Sequence, residues 1–333
     1  MVTIIHIYPG LSIGCWTENG IGCRWTENTK RDRMMGMKKI LTYRITTEYD
    51  GWTVEKFLKA EGYSRHLLVQ LRKTENGITV DGTPVYTTHH LQSGEQLDIR
   101  LVELEPSEQI VPVPMELSIV YEDEDLLVLN KAANVPIHPS QGNYDCTLAN
   151  GVAHYFAKKG EPFVYRVINR LDRDTTGLLI LAKHGLSAAI LSRMVADREI
   201  HRTYLAVVNG RIDGAGTVTA PIARVDGSTI ERCVDFERGE YACTHYQTLH
   251  YNPEVDCTLL EIQLETGRTH QIRVHMKEIG HPLPGDFLYC PDYRYIGRQA
   301  LHSFRLEFQH PLTKKELRFE APLPDDMKFV FSN

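Results

Sequence analysis

The stretch that most constrains this chain is residues 164–183, VYRVINRLDRDTTGLLILAK. Two apolar, strand-like runs at 164–168 and 178–182 flank a polar loop in which Asp172 and Asp174 alternate with Arg170 and Arg173. A fold that buries both runs stiffens the loop between them, and a carboxylate at its tip is then held in one place. Arg170 and Arg173 on either side of Asp172 supply cations that favour an ionised acid. The pattern fits a carboxylate positioned for chemistry. It also fits a surface loop with ordinary ion pairs, and spacing alone does not separate the two.

Composition bounds the rest. A chain of 333 residues fits two domains, and 42% hydrophobic with 24% charged residues is ordinary for a globular protein with ample core. The longest apolar runs are far below a bilayer span, so no membrane segment is expected. Seven cysteines are dispersed without a Cys-x-x-Cys pair, which argues against a zinc ribbon or disulfide framework and suits a reducing, cytoplasmic setting. The net charge of −6 exerts no global pull on nucleic acid, so any such binding must rest on local basic faces.

Residues 1–37 carry a short imperfect repeat, CWTENGIG and CRWTENTK, with neither helical nor strand period. The expectation is a disordered or mis-annotated leader, with the biological start near Met35 or Met37. Residues 38–104 read as a small domain. A strand over 41–47 precedes a helix over 52–60, and Ser64 caps a second helix over 65–73. That helix sets Leu67, Leu68 and Leu71 on one face and Arg65, His66, Arg72 and Lys73 on the other. Asp81-Gly82 forms a hairpin turn, and a last strand begins at Gln96. Prolines 106, 112 and 114 mark a linker over 105–115.

The second domain, 116–333, opens with strands around the turn 122–125 and has a helix over 147–159 and another over 187–196. The strand 198–209 places Arg202 and Tyr204 on one face, an arrangement suited to base stacking, although a strand tyrosine is more often simply packed. A β-type run over 257–264 leads into GRTHQIRVHMKEIGHPLPGD. There Thr269 caps a helix to Ile279, with Ile272, Met276 and Ile279 inward and His270, Arg273 and Lys277 on another face. Arg268 stands just before the helix, where free N–H groups favour an anion, either a phosphate or a carboxylate such as Asp172. His270 and His275, five apart and without the His-Glu-x-x-His spacing, are not expected to bind metal.

Together these segments resemble RluA-type pseudouridine synthases. The resemblance rests on Arg170-Leu171-Asp172 with Thr175-Thr176-Gly177-Leu178, Arg202-x-Tyr204, 267–273, Gly280-His281-Pro282 with Gly285-Asp286, Leu301-His302 and His310-Pro311. It spans roughly 116–324. Residues 64–95 similarly resemble the Alpha-L RNA-binding motif shared with ribosomal protein S-four, which implies phosphate contacts from Ser64, Arg65, Arg72 and Lys73. Departures are Ala132 after Lys131, Asn169 before the Arg-Leu-Asp, and Thr176 in place of serine.

The resemblance implies an α+β fold: a mixed, largely antiparallel sheet with a central cleft, preceded by a small α+β RNA-binding domain. It implies isomerisation of uridine in RNA with no metal or organic cofactor; ribosomal and transfer RNA both fit, ribosomal RNA being the better expectation, and a monomer is expected. Asp172 is then the catalytic aspartate, Tyr204 the stacking tyrosine and Arg268 the aspartate's basic partner. Arg170, Arg173, Arg202, Arg273 and Lys277 join the RNA-binding set. The alternative is a non-catalytic RNA-binding protein acting in ribosome assembly.

Overall fold

The computed structural model describes residues 15–16, 21–24, 37–103, 110–140, 142, 144–161 and 163–331. The chain divides into two compact units, Met1–Pro106 with Lys159–Val164, and Ser107–Lys158 with Tyr165–Asn333.

In the first unit, strands β1 (Cys15–Trp16), β2 (Ile21–Arg24), β3 (Met37–Arg44), β4 (Ile78–Val80), β5 (Thr83–Pro84) and β6 (Gln96–Glu103) form one sheet in the order β1-β2-β3-β6-β4-β5. β3 and β6 pair antiparallel along their whole length, from Met37 opposite Glu103 to Arg44 opposite Gln96. β2 pairs with β3, so two stretches of a segment without strand periodicity are nonetheless strands. Met35 lies outside the described residues.

Helices α1 (Val54–Ala60) and α2 (Arg65–Lys73) start at Thr53 and Ser64, whose hydroxyls accept the Lys56 and Leu67 amides. Each cap stabilises its helix by about 1 kcal/mol. The α2 periodicity buries Leu67, Leu68 and Leu71, and Leu41, Leu58, Leu97 and Ile99 are buried in the same unit. Asp81 and Gly82 both have positive φ, 46° and 79°, the geometry a tight hairpin between β4 and β5 requires.

The second unit is built on a nine-stranded sheet. Its strands are β7 (Ile119–Glu122), β8 (Leu126–Lys131), β9 (Thr176–Ala182), β10 (His201–Asn209), β11 (Ala215–Thr219), β14 (Cys243–Asn252), β15 (Cys257–Leu264), β16 (Leu301–Gln309) and β17 (Glu316–Glu320). The order is β11-β14-β15-β10-β16-β9-β8-β7, with β17 added on β16. Every pairing is antiparallel except β16 with β9. A separate ribbon pairs β12 (Ile222–Arg224) with β13 (Arg232–Val234). Helices α3 (Leu148–Lys159), α4 (Gly185–Ala196) and α5 (Gln271–Glu278) complete the set.

The apolar run after the Asp172 loop becomes β9, and all seven of its residues are buried. Covering each of its Leu and Ile side chains contributes about 1.5–3 kcal/mol, which fixes where the loop ends. The run before the loop is not a regular strand. Its described backbone pairing with β9 is one bridge, Val167 to Leu181, and two bonds, Ile168 N to Ile180 O and Ala182 N to Arg166 O. β9 already shares that edge with β16 at Thr176 and Gly177, so only its far end is open to residues 166–168. Gly177, with φ of 110°, lets β9 approach the Ser303 backbone so closely that no Cβ fits there.

Candidate active site

A cleft opens where β10, β15 and β16 meet the Asp172 loop and the start of α5. Its lining includes Arg170, Asp172, Tyr204, Leu264, Arg268, His270, Arg273 and Leu301. The loop is held from below by Lys131 at the end of β8. Its buried ammonium donates to three carbonyls, Ala132 at 2.8 Å, Val135 at 3.1 Å and Arg173 at 2.7 Å. Burial pushes its pKa down to about 7, against the pull of Asp174 and Asp172. A turn bond from Thr175 N to Asp172 O closes the loop tip.

Asp172 lies about a quarter exposed, with Oδ2 2.8 Å from Arg273 Nη1. Arg273 is 2% exposed and also meets Asp286 in a two-pronged bond, Nε to Oδ2 at 2.6 Å and Nη2 to Oδ1 at 2.8 Å. Burial opposes its charge, yet Asp286 and Asp172 raise its pKa overall. The planar guanidinium suits this task, since one edge locks to Asp286 and leaves Nη1 fixed on Asp172. Asp286 in turn accepts the Leu288 and Tyr289 amides.

Two further groups face the carboxylate. Tyr204 is 5% exposed and lines the cleft from β10, beside a register shift between Thr203 and Tyr204 in the pairing with β16. Burial raises its phenol pKa, with Asp172 adding and Arg202 opposing, so the hydroxyl stays protonated. His270 sits in the left-handed region at φ 59° and places Nε2 3.9 Å from Asp172 Oδ2, with Nδ1 2.9 Å from the Tyr289 hydroxyl. Burial lowers its pKa, so the ring is neutral at pH 7. One carboxylate, one buried cation and one buried aromatic face therefore converge in a concave site open to solvent.

A family model described as RNA pseudouridylate synthase matches residues 125–278. A Bacillus subtilis protein named uncharacterized RNA pseudouridine synthase YjbO is 42% identical over 276 residues, 83% of this chain and 96% of that protein. Ribosomal large subunit pseudouridine synthase D of Escherichia coli O6:H1 is 39% identical over 249 residues, 70% of this chain and 75% of that one. The solved structure of human RNA pseudouridylate synthase domain containing 1 aligns with a TM-score of 0.52 at 28% identity, covering 62% of this chain and 83% of that one. This chain belongs to the RluA-type pseudouridine synthases. It is an isomerase acting on RNA.

Within that family frame the structure redistributes several expected roles. The basic partner of Asp172 is Arg273 and not Arg268. Arg268 lines the cleft, but its guanidinium pairs with exposed Glu240 and, through Nε at 3.1 Å, with Tyr241 O, and not with Asp172. Arg273, expected on RNA, is buried and doubly paired, which leaves it no face for phosphate. Helix α5 begins at Gln271, and Thr269 does not cap it. The Gln271 side chain instead accepts the Arg268 amide at 3.0 Å and the Thr266 hydroxyl at 2.7 Å. His275 is buried, bonding Thr244 Oγ1 and Ala220 O.

Of the remaining expected residues, Arg170 and Arg173 are exposed on the loop, and Arg173 pairs with Asp174. Lys277 is exposed on α5, and Arg202 is half-buried beside Gly267. Ser64, Arg65, Arg72 and Lys73 are exposed on α2 in the other unit, where Arg72 bonds Glu55 and Thr87. Asp286 and His270 escaped the sequence reading as site residues. The signal for Asp286 was the Gly285-Asp286 pair, and for His270 its place between Arg268 and Arg273.

Proposed function

We propose that Asp172 is the catalytic residue of uridine-to-pseudouridine isomerisation, acting on a uridine flipped out of a structured ribosomal RNA. The observation that carries this is the Asp172–Arg273 bond of 2.8 Å in a cleft walled by the buried Tyr204. The reaction breaks the N1–C1′ bond, turns the base and joins C5 to C1′, with no net oxidation. A fixed carboxylate serves it either as nucleophile on C1′ or as the base that removes the neighbouring proton. Taking the target from its stack costs a few kcal/mol, which an aromatic wall and surrounding cations offset. Tyr204 supplies that wall.

Arg170, Arg173, Arg202, Arg268 and Lys277 surround the cleft with positive charge for the RNA backbone, and α2 of the first unit adds Arg65, Arg72 and Lys73. Ribosomal RNA is favoured because the relatives with specific names act, by those names, on the large ribosomal subunit. The enzyme works as a monomer, and the free thiols among the described residues are in keeping with a reducing cytosol.

The test is release of label from C5-tritiated uridine in ribosomal RNA. Wild type releases it, and Asp172→Asn falls by at least about 10²–10⁴-fold with an unchanged melting curve. Equal release by the two proteins would remove Asp172 from the chemistry. Absence of release by wild type from any cellular RNA would favour the binding-only alternative.

A further inference from the structure

Where β14 begins and β15 ends, three donors of different chemistry meet. Cys243 and His245 lie two apart on β14 and so share a face, while Glu265 follows β15, whose Gln263 is paired with His245. Cys243 Sγ is 3.7 Å from His245 Nε2, and Nε2 is 2.8 Å from Glu265 Oε1. All three ligand atoms lie within 4.8 Å of one another. We propose that Cys243, His245 and Glu265 bind a zinc-class divalent cation, with a fourth position open to solvent.

The spacing suits the ion. Tetrahedral zinc with ordinary bond lengths separates sulfur from nitrogen by about 3.6 Å and nitrogen from oxygen by about 3.4 Å. The first separation is already present, and the second needs a small swing of the partly exposed Glu265 side chain. A thiolate, imidazole and carboxylate set is one that zinc accepts, and mixed soft and hard donors select against magnesium and calcium.

His245 and Glu265 are each held through an atom that the metal does not need, and Cys243 is held at the sulfur itself. His245 Nδ1 is 2.9 Å from Thr217 Oγ1, Glu265 Oε2 is 3.0 Å from Arg198 Nη1, and Cys243 Sγ receives the Thr219 hydroxyl at 3.6 Å. Such outer contacts orient metal ligands and are part of a built site. The tautomer matters most. The Thr217 hydroxyl can accept Nδ1–H, which leaves the Nε2 lone pair for the ion.

The other mixed cluster among the described residues, Asp123, Asp125 and His310, fails this criterion. There Nδ1 of His310 accepts the Leu312 and Thr313 amides, so the ring proton sits on Nε2 and points at Asp123. That imidazole has no lone pair left for a metal.

The ion would clip the end of β14 to the end of β15. From these ends the Cys243 carbonyl and Thr266 hold Gln271 at the start of α5. The ion takes no part in the isomerisation.

The experiment uses the full chain, stripped of metal with a chelator and titrated with Co²⁺. Wild type should bind one equivalent, showing tetrahedral d–d bands and sulfur-to-cobalt charge transfer, and Zn²⁺ should abolish both. Cys243→Ser should lose the charge-transfer band, and Thr217→Val should weaken binding about 10–100-fold. Absence of the bands in wild type overturns the proposal. So does a full charge-transfer band in Cys243→Ser, which would mean that another thiol is the ligand. Should Cys243→Ser misfold by circular dichroism, Thr217→Val and His245→Gln decide: unchanged Co²⁺ affinity in both refutes the site.

Discussion

Arg268 and Arg273 stand five residues apart in one segment, yet their surroundings differ almost completely. Arg273 is buried between two carboxylates, whereas the Arg268 side chain is 40% exposed and its partner Glu240 is 70% exposed. A buried guanidinium with both edges paired is a structural member of the site: remove it, and two carboxylates lose their counter-charge in a poorly solvated place. An exposed pair of the second kind is worth about 0–1 kcal/mol and exchanges readily for another anion. The contrast teaches that Arg273 sets the geometry of Asp172, while Arg268 is free to leave Glu240 for a phosphate.

The sharpest way to break this comparison is to truncate each arginine. Arg273→Leu should lose about 3–5 kcal/mol of stability to urea and all measurable isomerisation, because it strands Asp286 and Asp172. Arg268→Leu should keep its urea midpoint nearly unchanged and lose activity mainly through weaker RNA binding, read as a raised KM. Equal destabilisation of the two variants would erase the distinction. Asp286→Asn is the intermediate case, since it frees one edge of Arg273. It should lower kcat more than it raises KM, because Asp172 is left with a looser partner.

The same contrast explains what could be seen in the chain alone. β15 runs over Cys257–Leu264 as its β-type residues indicated, and α2 keeps its cap and its buried leucine face. These are local signals, written in neighbouring residues. The Asp172 loop was legible for the same reason, because a buried apolar run follows it directly. The partner of Asp172 was not. Arg268 and Arg273 both lie near a helix start, and the choice between them depends on a contact across 101 positions of sequence. Nor could residues 164–168 be recognised as short of a strand, since what limits them is the edge of β9 already occupied by β16. The pairing of Cys243 and His245 with Glu265 is likewise a product of strand register.

Buried and exposed titrating groups should separate in the same way on acidification. His302 is 1% exposed, with Nδ1 2.8 Å from Thr176 Oγ1, and Arg298 and Asp326 are the nearest charges acting on it. Burial pushes its pKa down to about 4. Between its unfolded value near 6.5 and about 4, the unfolded chain holds a proton that the native ring lacks. Stability is therefore fully present above about 6.5 and falls as the pH drops through that window, by on the order of 3 kcal/mol. Urea midpoints at several pH values should show the decline in wild type and a flatter one in His302→Asn. A wild-type profile no steeper than that of the variant would show that the ring protonates without cost.

The smallest effect is expected on α2, where every cation is exposed. Reversing Arg65, Arg72 and Lys73 to Glu should leave the fold intact, because none of the three touches the buried leucine face. If these residues neutralise phosphates, each lost contact lowers the slope of log affinity against log salt by about 0.7–0.9. The three should not contribute equally. Arg72 already donates to Glu55 at 2.8 Å and Thr87 at 3.1 Å, so part of its charge is spent within the unit before RNA arrives. Arg65→Glu and Lys73→Glu should therefore each flatten the salt dependence more than Arg72→Glu does. An unchanged slope in the triple variant would confine phosphate binding to the cations around the cleft, with Arg268→Leu then carrying the larger salt effect.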